Sequence, residues 1–342
     1  METVFIDGSA GEGGGQILRT SLALSCITGK PLHIENIRAA RRNPGLARQH
    51  LSCVHAACRI CDGQCEGAAL RSQTLNFRPG GICSGDFSFE IGSAGSASLV
   101  IQTVLPALFL ADKTSTVTVT GGTHNPWAPP FDFLAETFLP AIATAGFRCD
   151  CRLVKHGFFP AGGGKLALSI QPRQASIDQI INLCRPDEQL QIHARIYTAR
   201  LPAHIAQHQK KLLLQSKLKF QNIEHIEVAD SDGPGNCVML RLCSSRRTTV
   251  FTAFGMKGKP SEKVVGEVTT LAEDFIQSGA AIDRFSADQL LIYMAISKAG
   301  SYTTNDLTTH LTTNIETIKK FLPVNFTIEQ QEKIHRILCN SF

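Results

Sequence analysis

The sequence predicts an α/β fold: a large domain of three repeated α/β units, with a small α/β domain inserted in the third unit. Three observations carry this. Gly8-Ser9-Ala10-Gly11 recurs 84 residues on as Gly92-Ser93-Ala94-Gly95, and Asn43-Pro44 recurs 82 residues on as Asn125-Pro126. Two motifs at nearly one offset mark an internal repeat. Each glycine-rich turn is followed by the same order of apolar helical and β-like stretches. Finally, residues 184–278 interrupt the third copy with strands and helices of their own.

The elements follow in order. After the first turn, Gln16–Thr28 is an apolar helix stopped by Gly29, Leu32–Ile37 is β-like, and Gly45–Cys61 is helical. The second copy repeats this with the helix Leu99–Ala111, the Thr/Val alternation Ser115–Thr120 and the helix Phe131–Ala145. The third copy shows the helix Leu290–Lys298, capped by Gly300, then β-like Tyr302–Thr304 and the helix Asn314–Phe321. Its upstream strands are expected within Lys155–Gln171, where Lys165–Ile170 alternates well. The interruption reads as strand Leu190–Ile196, helix His204–Lys217, strands Ile223–Val228, Val238–Cys243 and Thr249–Phe254, and helix Ser261–Gln277. The expected domains are therefore 1–183 plus 279–342, and 184–278.

Composition narrows the class. At 342 residues the chain suits about two domains. Apolar residues make up 43% and charged residues 18%, which excludes a disordered chain. The longest apolar candidate, Leu99–Ala111, is short of a membrane span and carries Gln102 and Pro106, so no membrane association is expected. The first residues lack the basic start of a signal peptide. Twelve cysteines are too sparse for a disulfide scaffold, so free thiols in a reducing cytoplasm are expected.

Charge distribution says more than the net +5. Asn36 to Cys61 contains no Asp or Glu and carries Arg38, Arg41, Arg42, Arg48 and Arg59. The stretch is either a solvated basic face or a seat for an anion, since the guanidinium fork suits phosphate oxygens. Gly8–Gly15, a glycine-rich turn before a helix, lets an anion approach backbone N–H groups. If the helix starts near Glu12, then Glu12, Gln16 and Arg19 share one face and suit a metal ion plus a phosphate. An acid favouring the helix dipole beside a surface Arg explains the same residues. Cys53, Cys58, Cys61 and Cys65 have a ferredoxin-like spacing in part, but on a helical segment they read as core filling. His310, between hydroxyls at a strand-to-helix connection, could be a nucleophile or base, but spacing does not separate it from His50, His124 or His156.

Taken together, the motifs resemble the RNA 3'-terminal phosphate cyclases. The matching segments are Asp7–Arg19, Ile37–His50, Gly92–Ser96, Gly121–Pro130, His156–Gly164, Ala287–Gln289 and Thr309-His310, in order along nearly the whole chain. The resemblance implies a fold like that of the enolpyruvyl transferases, with ATP and a divalent metal (Mg or Mn) as cofactors and RNA bearing a 3'-terminal phosphate as partner. It implies that His310 takes AMP from ATP and passes it to the RNA 3'-phosphate, whose vicinal 2'-OH then closes a 2',3'-cyclic phosphate. It implies Glu12 as metal contact, Arg19, Arg38 and Arg41 as phosphate clamps, and Gln49 and His50 lining the same site. Gln102, Pro129, Pro130, Phe131, Phe285, Ser286, Ala287, Asp288 and Gln289 would form the adenylate pocket. His124 stands where family members often carry Asp. Two alternatives belong to other classes: a non-catalytic cyclase-like protein that binds RNA in ribosome assembly, against which His310, Glu12 and Arg19 speak, and an enolpyruvyl transferase, for which the chain is too short. The number of subunits stays open.

Overall fold

The computed structural model describes residues 2–174, 179–186 and 188–341. The first unit is β1 (Val4–Asp7), α1 (Gly15–Thr28), β2 (Leu32–Glu35), α2 (Arg48–Ile60), β3 (Gln64–Glu66) and β4 (Leu75–Arg78). The second is β5 (Asp86–Glu90), α3 (Ala97–Leu108), β6 (Ser115–Gly121), α4 (Phe131–Phe133), a π-helical turn at Leu134–Phe138, α5 (Leu139–Ala143), β7 (Cys149–Lys155) and β8 (Gly164–Ile170). The third opens with β9 (Ile181–Leu183). The chain then leaves it for β10 (Gln191–Ala199), α6 (Ala203–Gln215), β11 (Phe220–Glu227), β12 (Gly235–Cys243), β13 (Thr248–Phe254) and α7 (Ser261–Ser278). It returns as α8 (Arg284–Ser297), β14 (Ala299–Thr304), α9 (Thr309–Phe321), β15 (Val324–Gln331) and β16 (Ile334–Ser341).

Three of the four sheets share one topology, in the orders β1-β2-β4-β3, β5-β6-β8-β7 and β9-β14-β16-β15. In each the first two strands are parallel, which forces a helical crossover between them, and the last two return antiparallel. The fourth sheet, β11-β10-β12-β13, belongs to the interrupting segment.

Two expectations are corrected. The strand within Lys155–Gln171 belongs to the second unit: β8 pairs with β6 from Ser115↔Ile170 to Gly121↔Gly164. Its alternation buries Leu166, Leu168 and Ile170 in the second unit's core. The third unit takes β9 and the C-terminal ribbon β15–β16 instead. That ribbon alternates only briefly, at Val324, Phe326 and Ile328, and β15 then turns polar and exposed. The last expected helix begins earlier, at Thr309, because the Thr308 hydroxyl accepts from Leu311 N–H and caps it. His310 therefore sits in the first turn of α9.

The helices α1, α3 and α8 are apolar on most sides and fill the centre of the large core. Gly29, at φ 69°, ends α1 in the left-handed conformation that glycine adopts without strain. Tyr293 of α8 joins the second and third units: its ring lies 4.9 Å from Phe147, 5.7 Å from Phe138 and 6.2 Å from Phe109. Cys53 and Cys61 pack in this core, with the Cys61 sulfur 3.8 Å from that of Cys26. A second apolar cluster, including Ile196, Leu213, Leu240, Phe251 and Phe275, lies under the fourth sheet. No helix among the described residues is long and apolar enough to cross a membrane.

A buried polar cluster ties the fourth sheet to the second unit. Asp132 accepts from Tyr197 OH at 2.9 Å and from Arg195 at 3.2 Å, and meets His124 Nε2 at 3.0 Å. Glu136, one turn on, pairs with Arg195 and Arg241. Burial opposes the charge on Asp132, but these partners hold its carboxyl below the ordinary carboxylate value. His124 is thus a joint between layers. Loop 230–235 also braces loop 156–164: Lys155 pairs with Asp232 at 2.8 Å, and a side chain at Gly235 would strike the Phe158 ring.

Truncating Asp132 to Ala strands the buried His124 imidazole and Tyr197 hydroxyl and leaves Arg195 only its other carboxylates. Urea denaturation should show a loss of about 3–5 kcal/mol; a loss under about 1 kcal/mol would place the joint elsewhere.

Candidate active site

Two helix N-termini meet beside the first glycine-rich turn. Gly14 is the N-cap of α1, with no side chain satisfying its first N–H groups. Glu12 lies in the turn before the helix, not on its face as the sequence suggests, because α1 starts only at Gly15. The Glu12 N–H donates to Thr313 Oγ1 of α9 at 3.0 Å, which docks the turn on that helix. Gly11 is tight against the same Thr313 side chain and holds φ 58°, so the turn requires glycine there.

The polar groups converge around Gln16. Its Oε1 lies 2.9 Å from His310 Nδ1, and its Nε2 donates to Asp288 Oδ2. An amide oxygen only accepts, so the proton sits on His310 Nδ1 and the Nε2 lone pair is free. That Nε2 is 4.0 Å from Glu12 Oε1, and the His310 side chain is half-exposed. Burial, helped by Arg19 and Arg41 and opposed by Glu12, lowers the His310 pKa below the ordinary 6.5. The imidazole is neutral at pH 7. Asn314 of α9 links further, accepting from Thr20 at 2.7 Å and donating to the Asp288 carbonyl at 2.7 Å.

The basic groups ring the turn. Arg41 pairs with Glu12 Oε1, while Glu12 Oε2 is buried without a hydrogen-bond partner. Arg38, in the left-handed region at φ 54°, donates to the Gly45 carbonyl at 2.7 Å. Arg19 of α1 makes no hydrogen bond or ion pair among the described residues. His50 Nδ1 accepts from Ala47 N–H at 3.2 Å, which leaves the proton on Nε2 facing Gly15. Burial first, then Arg19 and Arg38, push its pKa down to about 3, so it is a neutral donor. Any Cβ at Gly14 would fall against Glu12 and Arg41, and one at Gly15 against His50 and Arg19. The two glycines are what keep this cradle open.

A cleft runs from the cradle between Gln16, Arg19, Gln102, Asp288, Gln289 and Asn314. Gln102 of α3 donates to Gln289 of α8, joining two units across it. Burial pushes the Asp288 carboxyl up to about 7. The remaining expected positions stand apart from this polar cluster. Gln49 turns away to accept from Ser96 N–H at 2.7 Å. Pro129, Pro130 and Phe131 lead into α4, with Pro130 buried as its N-cap. Phe285 is exposed on the first turn of α8. Ser286 and Ala287 are fully buried: Ser286 donates to the capping Asp283 at 2.6 Å, and Ala287 gives its carbonyl to Tyr302. They shape α8 and present no side chain to the cleft.

Thr313 and Asn314 enter the site only through the structure, and Gln16, expected on the face with Arg19, proves to contact His310 and Asp288. Gln16 carries a sequence signal, its place with Arg19 on one face of a helix; the two α9 residues carry none beyond following His310.

The description of RNA 3'-terminal phosphate cyclase fits residues 10–328 of the chain as a family model. An RNA 3'-terminal phosphate cyclase of Koribacter versatilis is 46% identical over 342 residues, covering 100% of this chain and 96% of that one. One of Pseudomonas fluorescens is 42% identical over 343 residues, covering 100% and 99%. One of Salmonella enteritidis is 43% identical over 329 residues, covering 96% of each.

A carboxyl raised by burial favours the folded state in acid, and that contribution is lost as the pH rises through about 7. Asp288→Asn should therefore raise the unfolding temperature by about 2 °C or more at pH 8, with a gain that shrinks toward pH 4. A gain independent of pH would show that Asp288 is not held neutral.

Proposed function

This chain belongs to the RNA 3'-terminal phosphate cyclase family, and from that premise we propose that it closes an RNA 3'-phosphate to a 2',3'-cyclic phosphate at the expense of ATP, through AMP held on His310. One observation carries the mechanism: Gln16 fixes the His310 proton on Nδ1 and leaves a neutral Nε2 as nucleophile beside an unpaired guanidinium.

In the first step Nε2 attacks the α-phosphorus of ATP, and the bond to pyrophosphate breaks. The resulting phosphoramidate carries its positive charge on a ring whose Nδ1–H stays bonded to Gln16. An oxygen of the RNA 3'-phosphate then attacks the same phosphorus, the P–N bond breaks, and His310 returns neutral with AMP joined to the RNA through a pyrophosphate link. Last, the vicinal 2'-OH passes its proton to water and its oxygen attacks the 3'-phosphorus, the bond from that phosphorus to the bridging oxygen breaks, and AMP leaves. Arg19, Arg38 and Arg41 clamp the phosphate oxygens, and neutral His50 adds an Nε2–H donor at the cradle. Gln102, Gln289 and the exposed Phe285 ring take the nucleoside. The unpartnered Glu12 Oε2 suits a divalent metal; bound there, Mg or Mn would offset charge on the phosphates of ATP.

We assign residues 184–278 to a separate inserted domain, on the strength of its own sheet and apolar cluster.

With labelled ATP and a divalent metal, the wild-type protein should acquire an acid-labile AMP adduct and His310→Ala should not. An adduct on the variant would overturn the assignment. The adduct should form more slowly in acid, with its midpoint below pH 6.5, because only the neutral ring attacks. The Arg38→Ala, Arg41→Ala double variant should lose cyclisation of a 3'-phosphate RNA; unchanged cyclisation would remove both from the clamp.

A further inference from the structure

Beside the reactive cradle lies a second concavity of about 430 Å³, lined by Gln49, Gly95, Ser96, Asn125, Trp127 and Phe159 among others. Its outer wall is aromatic and open. Trp127 is 82% exposed and Phe159 47%, with their rings 6.2 Å apart edge to face. Large aromatic rings this exposed side by side give a surface that apolar matter or a planar ring would cover. Trp127 also holds φ 66°, a left-handed conformation uncommon for a bulky residue. Such a backbone persists only where the surroundings dictate it. Here they do. Asn125, two residues before, donates to the Ala94 carbonyl across the concavity, and loop 156–164 under Phe159 is pinned by Asp232 and Gly235 of the fourth sheet's loop. Asn125 is only 6% exposed, yet its Oδ1 has no hydrogen-bond partner.

The surroundings choose the occupant. Gln49 lines the concavity and its neighbour His50 faces Gly15 in the cradle, so α2 borders both spaces. One cation stands at the rim, where exposed Arg48 reaches the Gly92 turn. Exposed aromatic rings with a guanidinium beside them, on the helix that also borders the arginine-ringed cradle, suit single-stranded nucleic acid, because every base offers a face to stack. Resting on the function proposed above, we infer that this concavity takes the last bases of the RNA strand, stacked on Trp127 with Phe159 at its edge, while the 3'-phosphate reaches His310. The inserted domain then has a task in the reaction. It holds the loop that carries Phe159.

Trp127 is the only tryptophan, so intrinsic fluorescence reports on this position alone. The wild-type protein should be quenched by a single-stranded oligoribonucleotide ending in a 3'-phosphate. The quench should vanish when abasic sites replace the last three bases. Binding of the same strand, measured by polarisation of a 5'-dye, should weaken about tenfold in Trp127→Ala, the scale of losing one stacked base. Phe159→Ala should weaken it less. A quench by ATP without RNA would make the concavity a nucleotide pocket, and a quench that survives the abasic strand, or equal affinity in Trp127→Ala, would equally overturn the inference. The AMP adduct on wild-type protein tests the underlying function separately, since it needs no RNA: its absence with the quench intact would sink the mechanism and spare the groove.

Discussion

An amide buried in a helix that is itself buried must find partners for both of its ends. Gln16 is 7% exposed in α1, and losing either partner would leave a polar group dry at a cost of about 1–3 kcal/mol. Its partners come from opposite directions, His310 on α9 and Asp288 on α8. This requirement fixes how α8 and α9 seat on α1, and with them how the third unit closes against the first. The same pair of bonds decides the chemistry. Because the oxygen of Gln16 faces His310, the ring carries its proton away from Glu12 and presents a lone pair to the open side. Packing and tautomer are set by one side chain.

The threefold repeat explains why this arrangement was partly legible. Glycine-rich turns recur at near-constant offset in the first two units, and the apolar helices α1, α3 and α8 show in the sequence because burial on most sides demands nearly continuous apolar residues. The C-terminal ribbon is hard to read because its alternation is short: Val324 and Phe326 are buried, and the rest of β15 is solvated. The placement of Lys165–Ile170 went astray for a related reason: alternation reports that one face is buried, but not against which sheet. Only the register with β6 decides that.

Site residues divide along the same line. Glu12, Arg19, Arg41 and His310 carry unusual chemistry for their positions, and family motifs point to them. Ser286 and Ala287 travel with Asp288 in the motif, yet they serve the cap and the core of α8. A motif records everything a local structure needs, and only geometry separates the groups that face the cleft from those that hold it. Gln49 makes the opposite point. It follows the arginine run, but its carbonyl is drawn off to the N-terminus of α3, which moves it from the phosphate cradle to the neighbouring groove.

The uncompensated groups describe what the site is for. Among the described residues Arg19 makes no ion pair, Glu12 keeps one buried oxygen unpaired, and the first N–H groups of α1 have no side-chain cap. Each of these is a local cost to the empty fold. A fold keeps such costs where surrounding structure leaves no alternative, and here Gly14 and Gly15 remove the side chains that could have filled the space. On the proposed function, a polyphosphate accompanied by a divalent metal would satisfy cation, carboxylate oxygen and helix terminus together, so binding that pair should stabilise the protein by more than the contacts alone suggest. On the proposed mechanism, it is the His310 imidazole, with its free Nε2 lone pair, that forms the bond with phosphorus, while the cradle's other groups hold the phosphate oxygens.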